Sequence, residues 1–373
     1  MRDIGVGIIG TGFMGKAHAF AYRAVAGIFS PKLVPVLEMV ADNDGEAAER
    51  AYRQLGFTRM TADWMELVNS HKVEIVSITT PNVFHREMAL AAVAAGKHVH
   101  CEKPIAPNAG DAQAMMEAAE RKGIVTQVGY NYIKNPMLAL AREMIAGGEL
   151  GEITGFRGIH AEDYMADPEV PYSWRVDGSG GAGAVADLGS HIVGMARFLL
   201  GPIEEVFADL ETVVESRPVK PGSSERRKVE VDDAARLLVK FRRGCLGTIE
   251  ASWVATGRKM NLGFEVSGTK GSLVFSQEHF NELHLYRVGG DSRHLGYVRI
   301  ESGPAHDPYG LFCVAAGHQL GFNDLKTIEV ADFLATISGG PLKGPDFREA
   351  WEIQKIIDVA VRSSKDRQWF KVP

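Results

Sequence analysis

The chain has 373 residues, 45% hydrophobic and 24% charged, which is enough apolar sequence for two ordinary domains. Its formal net charge of −6 lacks the positive field that phosphate backbones require, so no nucleic-acid partner is expected. Cys101, Cys245 and Cys313 lie far apart and make neither a disulfide framework nor a CxxC metal pattern. No apolar run reaches the ~18 residues of a membrane span, and the start runs straight into a strand with no basic leader. A reduced, cytoplasmic protein with no membrane partner is the expectation.

Residues 4–9 read as a strand, followed by glycines and a helix over about 15–26. A second apolar run covers 33–41, with helices expected over 45–55 and 61–69. Further strands fall at 73–79, 97–101 and 125–129, separated by helices at 84–95 and 109–122. Strands this apolar, alternating with helices, imply a parallel sheet covered on both faces. After about residue 130 the rhythm changes. A helix over 136–146 precedes strands at 153–161, 206–214, 234–241, 244–253, 262–267 and 271–275, with a hairpin turn at 241–245. Successive alternating strands predict an α+β second domain with a large, mostly antiparallel open sheet. The polar stretch 218–228 is expected to be a mobile loop, and a helix is expected over 327–338. Domain limits of 1–130 and 131–373 follow.

Gly10-Thr-Gly12-Phe13-Met14-Gly15 is a GxGxxG loop between strand and helix. The first glycine permits a tight turn, the second lets a pyrophosphate approach, and the third allows helix and strand to pack. The helix N-terminus then offers free amides and partial positive charge. Asp42 ends the second strand, where a carboxylate binds ribose hydroxyls and repels a 2′-phosphate; NAD rather than NADP is the expected cofactor.

Three further segments carry chemistry. Thr79-Thr80-Pro81-Asn82-Val83-Phe84-His85 and Glu102-Lys103-Pro104 each follow a strand at the carboxyl edge of the sheet, where ligands bind in open α/β folds. Asp187 and His191 stand four apart on a segment expected to be helical, after a glycine-rich loop at 178–183, so the carboxylate would orient the imidazole as a general base. Asn131 and Tyr132 follow the fifth strand, and His160, Glu162, Asp163 and Tyr164 end the first strand of the second domain. No spacing there supports a metal site.

In this order GTGFMG, Asp42, TPNVFH, EKP and DLGSH resemble the glucose–fructose oxidoreductase/inositol dehydrogenase (Gfo/Idh/MocA) family over nearly the whole chain. The resemblance implies a Rossmann domain followed by an α+β domain whose open sheet joins copies into a homodimer or homotetramer. It also implies a catalytic trio of Lys103, Asp187 and His191, which would exchange a hydride between NAD and a secondary alcohol of a sugar, anhydrosugar or cyclic polyol. Cofactor contacts are expected from Gly10, Gly12, Phe13, Met14, Gly15, Asp42, Thr80, Pro81, Asn82, His85, Glu102, Lys103, Asn131, Trp174 and Arg175. Substrate contacts are expected from Lys103, Tyr132, Glu162, Asp163, Asp187, His191 and His318. Two rivals share the fold: an NAD-assisted glycosidase or lyase without net redox change, and a non-catalytic NAD-binding regulator. The regulator is disfavoured because both Lys103 and His191 are present.

Overall fold

The computed structural model describes residues 1–180 and 183–373; of the glycine-rich loop at 178–183, Gly181 and Ala182 lie outside the described residues. The chain forms two compact units, Met1–Lys134 with Leu320–Glu352, and Asn135–Gln319 with Ile353–Pro373.

The first unit opens with β1 (Arg2–Ile9), α1 (Phe13–Phe29), β2 (Leu33–Ala41) and α2 (Gly45–Leu55). It continues through β3 (Arg59–Thr61), α3 (Trp64–Asn69), β4 (Ile75–Ile78), α4 (His85–Ala94), β5 (His98–Cys101), α5 (Ala109–Lys122) and β6 (Thr126–Val128). The six strands pair in parallel in the order β3-β2-β1-β4-β5-β6. Chain direction across the sheet reverses between β1 and β4, the crevice at which doubly wound sheets take nucleotides. Ile4, Val6 and Ile8 of β1 are buried against Tyr22 and Val25 of α1. Local chemistry sets the helix ends: Asp44 caps α2 through the amides of Glu46 and Ala47, and Gly56 stops it in the left-handed region. The short strand β3 was not anticipated. The helix expected from 61 starts instead at Trp64, after its cap Asp63.

The second unit contains α6 (Pro136–Ala146), β7 (Ile153–Ala161), α7 (Ala184–Asp187), α8 (Gly189–Leu200) and β8 (Ile203–Glu211). Then come β9 (Ser216–Pro218), β10 (Arg226–Lys228), β11 (Ala234–Phe241), β12 (Leu246–Ser252), β13 (Asn261–Gly268), β14 (Gly271–Ser276), β15 (Glu282–Arg287), β16 (Val298–Glu301) and the single turn α9 (Tyr309–Phe312). Helix α10 (Phe322–Ile337) returns to the first unit, α11 (Phe347–Asp366) follows, and β17 (Phe370–Lys371) ends the chain. Nine strands make one sheet in the order β16-β15-β14-β13-β7-β12-β11-β8-β17. Every pairing is antiparallel except β7 with β12. One face packs on α8, where Gly158 leaves room for Ile192. On the other, Arg236, Leu238 and Lys240 of β11 are exposed in strict alternation with buried neighbours.

Three expectations are corrected here. The stretch 218–228, read as a mobile loop, is closed at its base by β9 pairing with β10. Arg217 anchors this hairpin: it is fully buried and donates to the carbonyls of Met165 at 2.6 Å and Asp167 at 2.9 Å. Second, Asp187 and His191 do not share one helix, because Asp187 ends α7 and α8 begins at Gly189. Third, the boundary at 130 does not describe the compact units, since Leu320–Glu352 belongs with the Rossmann sheet. Val330, Phe333 and Leu334 of α10 sit in the same apolar core as β1 and α1.

Candidate active site

The glycine loop is built by three different constraints. Gly10 holds φ at +99°, a left-handed conformation that favours glycine, and its amide donates to the carbonyl of Ala41 at 2.8 Å. A Cβ on Gly15 would stand 2.2 Å from the carbonyl oxygen of Gly10, so α1 approaches the loop only because that atom is missing. At Gly12 a Cβ would meet nothing within 4 Å, which leaves an open approach to the start of α1. No side chain caps that helix start, so its first amides face the approach with the positive end of the dipole behind them. Asp42 closes the loop from the next strand. Its Oδ2 accepts the amide of Thr11 at 2.9 Å and the Thr11 hydroxyl at 2.7 Å, and its Oδ1 accepts the amide of Asp44 at 3.1 Å. A pyrophosphate on the amides with a ribose toward Asp42 is what this cradle fits, and the residues present match a dinucleotide. Phe13 and Met14 stand at the mouth, Phe13 largely exposed with its ring 5.5 Å from Phe322.

At the same sheet edge, Thr80, Pro81 and Asn82 follow β4, and Glu102 and Lys103 follow β5. His85 ties these two loops together. Its ring is buried, with Nδ1 3.0 Å from the carbonyl oxygen of Pro104 and Nε2 2.8 Å from that of Thr80. Burial holds its pKa below the usual histidine value. Glu102 is likewise an interior residue: His18 Nε2 lies 2.8 Å and Lys326 Nζ 2.9 Å from its Oε1, and the amide of Lys103 donates to its Oε2 at 3.2 Å. Both residues, expected to touch cofactor, thus hold the loops from behind. Lys103 itself is partly exposed at the edge. Asn131 is buried after β6, and the Tyr132 ring lies 6.1 Å from Phe322.

The second unit assembles another group around the α7–α8 junction. His191, in the first turn of α8, is buried with its ring 5.5 Å from that of His160. His160 Nδ1 lies 2.9 Å from the carbonyl of Leu188, the residue at the break between the helices, and its Nε2 is 3.1 Å from Glu162. Asp187 accepts the Tyr164 hydroxyl at 2.8 Å and lies 3.6 Å from Arg175 Nε. Burial, and then the charge of Asp187, push that hydroxyl well above the ordinary phenol range, so Tyr164 is a fixed donor. Arg175 also stacks over Trp174 at 4.5 Å. Asp163 is held by Lys259 at 2.8 and 2.9 Å and by the Gly257 amide, which keeps its carboxyl below the usual range. His318 lies exposed in the loop after α9. Sequence reasoning listed Tyr164 only as a neighbour of the cluster and missed its bond to Asp187, which no local spacing signals. It also missed Asp232, which is buried and accepts the amide of Val185 at the start of α7 at 2.8 Å.

Chemically, the first unit offers a dinucleotide cradle with an ammonium at its edge. The second offers an imidazole, a carboxylate and a phenol on one junction. No helix among the described residues is long and apolar enough to cross a membrane.

Comparison with known proteins agrees with this geometry. Residues 4–130 match the oxidoreductase family with an NAD-binding Rossmann fold, and residues 138–274 match the GFO/IDH/MocA C-terminal domain. Levoglucosan dehydrogenase of Pseudarthrobacter phenanthrenivorans is 37% identical over 388 aligned positions, covering 100% of this chain and 99% of that protein. A solved levoglucosan dehydrogenase in complex with NADH and levoglucosan superposes with a TM-score of 0.95 at 37% identity, covering 100% of both chains. An NAD-binding oxidoreductase from Klebsiella pneumoniae, 42% identical, gives 0.94 over 100% of this chain and 99% of that one. With a cradle built for a dinucleotide and both family domains matched in order, this chain is an NAD-binding oxidoreductase of the Gfo/Idh/MocA family.

Proposed function

We propose that the protein is an NAD-dependent dehydrogenase that oxidises a secondary alcohol of a sugar, anhydrosugar or cyclic polyol, or reduces the matching ketone. The observation that carries this reading is the end-to-end relationship to a levoglucosan dehydrogenase at 37% identity, in a chain that has Lys103, Asp187 and His191. NAD, when bound, supplies the hydride acceptor. The cradle of Gly10, Gly12, Gly15 and Asp42 would hold its adenosine half, with Phe13, Met14, Thr80, Pro81, Asn82, Asn131, Trp174 and Arg175 as further contacts.

In this reading His191 takes the proton of the reacting hydroxyl. A neutral imidazole suits that task near neutral pH. Lys103 donates a hydrogen bond to the reacting oxygen as negative charge builds on it; one well-placed donor of this kind is worth about 3–4 kcal/mol. Asp187, fixed by Tyr164, stabilises the imidazolium, while Tyr132, Glu162, Asp163 and His318 serve hydroxyl recognition. Pairing of copies through the outer face of the nine-stranded sheet, as dimer or tetramer, belongs to the same reading.

The test is a sugar and polyol panel, levoglucosan first, assayed with NAD and with NADP for reduced cofactor. NADH should accumulate in step with product. Lys103→Ala and His191→Ala should each abolish turnover and leave NADH binding nearly intact. A variant that turned over at the wild-type rate would overturn the assignment, and product without NADH would point to a non-redox lyase or glycosidase.

A further inference from the structure

Behind the strand that leads to Lys103 lies a closed cluster of ionisable side chains that the proposed mechanism does not use. Lys326 of α10 is fully buried, and its ammonium donates to Glu102 Oε1 at 2.9 Å and to Glu329 Oε1 at 2.8 Å. His100 Nε2 lies 2.9 Å from the same Glu329 oxygen, and Tyr22 OH is 3.1 Å from His100 Nδ1. On the other side His18 bridges Ser77, 2.7 Å from its Nδ1, and Glu102. A carboxylate can only accept, so His18 carries its proton on Nε2 and takes the Ser77 hydroxyl on Nδ1. Burial lowers the His18 pKa to about 3, in keeping with that neutral form. His18, His100 and Glu329 have the mutual spacing of a metal site, but the Lys326 ammonium already supplies the cation there.

Glu102 is set by this cluster on one oxygen and spends the other on the backbone amide of Lys103. Room for its carboxylate exists only because residue 129 is glycine, since a Cβ there would stand 2.3 Å from Glu102 Oε1. Lys326 comes from the segment Leu320–Glu352, which the chain returns to the Rossmann unit after building most of the other.

We infer that Lys326 and Glu102 are positioning residues for Lys103: the buried ammonium holds the Glu102 carboxylate in place, and that carboxylate fixes the backbone from which the Lys103 side chain reaches the reacting oxygen. The inference rests on the role proposed above for Lys103. Without the ammonium, Glu102 and Glu329 would face each other as buried like charges, and one would take up a proton. A protonated Glu102 is a weaker acceptor for the Lys103 amide, so the lysine loses its setting while the nucleotide cradle is untouched.

The experiment measures kcat, KM for NAD and NADH binding of Lys326→Met and Glu102→Gln from pH 6 to 10, with the sugar that the wild-type enzyme turns over. Lys326→Met should lose about 10–100-fold in kcat, the cost of a small misplacement, with NADH affinity changed less than about threefold. Its deficit should shrink as pH rises and Glu102 ionises again, whereas Glu102→Gln should show a deficit independent of pH. If Lys326→Met proves unstable, Lys326→Gln removes the charge but keeps a hydrogen-bond donor between the two carboxylates, and it gives the same readout. Folded variants with wild-type kcat, or a Lys326→Met loss that runs parallel to the wild type at every pH, would overturn the inference. An active Lys103→Ala enzyme would instead overturn the reading beneath it.

Discussion

Asp42 and Thr11 are joined twice: one carboxylate oxygen accepts both the backbone amide and the hydroxyl of the threonine, at 2.9 and 2.7 Å. The residue proposed to select the cofactor therefore also holds the shape of the glycine loop. Asp42→Ala should weaken NADH binding at least tenfold and narrow the preference over NADPH, because both the ribose acceptor and the loop clamp are lost. The loss of a charged hydrogen-bond acceptor should also cost about 1–3 kcal/mol of stability. Fluorescence titration with the two reduced cofactors, alongside denaturant unfolding, checks both; unchanged NADH affinity would refute the ribose role.

Gly12 and Gly15 should fail in different ways. Gly15→Ala forces a methyl against the Gly10 carbonyl, so we expect a loss of about 1–3 kcal/mol of stability together with cofactor binding. Gly12→Ala meets no protein atom and should cost no more than about 1 kcal/mol, alanine being a poorer N-cap than glycine, yet bind NADH poorly. Calorimetry paired with cofactor titration separates the two. Tight NADH binding by Gly12→Ala would place the pyrophosphate elsewhere.

Tyr164→Phe removes the donor that fixes Asp187. A hydrogen bond to a charged group is worth about 1.5–3 kcal/mol, so kcat should fall about 10–100-fold if Asp187 supports His191. Cofactor affinity should not change. Steady-state kinetics at saturating NAD decide it, and an unaltered kcat would remove Asp187 from the mechanism.

Asp232 makes stability depend on pH. Burial raises its pKa to about 7, against about 3.9 in an unfolded chain. The folded state then binds the proton more tightly, so this group's contribution falls as pH rises from about 4 to 7 and stays unfavourable above. Asp232→Asn keeps an acceptor for the Val185 amide without the charge. Relative to wild type, it should raise the melting temperature at pH 8 and have little effect at pH 4. A gain of equal size at both pH values would contradict the assignment.

Much of the Rossmann unit was legible in the sequence because its signals are local. Buried parallel strands read as short apolar runs, Gly10 and Gly15 answer steric needs within a few residues, and Asp42 sits where any second strand of this kind ends. The strands β3, β15 and β16, at or next to a sheet edge, escaped notice because they are short and partly exposed, and pairing rather than hydrophobic pattern defines them. Polarity misled at 218–228, where the anchor is the buried side chain of Arg217 and not the composition of the turn.

The order of the motifs determined by itself the cofactor fold, the family and the three residues to suspect. Only the tertiary structure decided what stands behind them. No spacing in the chain links Lys326 to Glu102, or Tyr164 to Asp187, because these contacts form between elements far apart in sequence that meet when apolar surface is buried. The break at Leu188, beside the weak helix formers Gly189 and Ser190, places Asp187 and His191 on two helices instead of one. Charges enclosed in this way persist only where each finds a partner, and the folded chain alone supplies those partners.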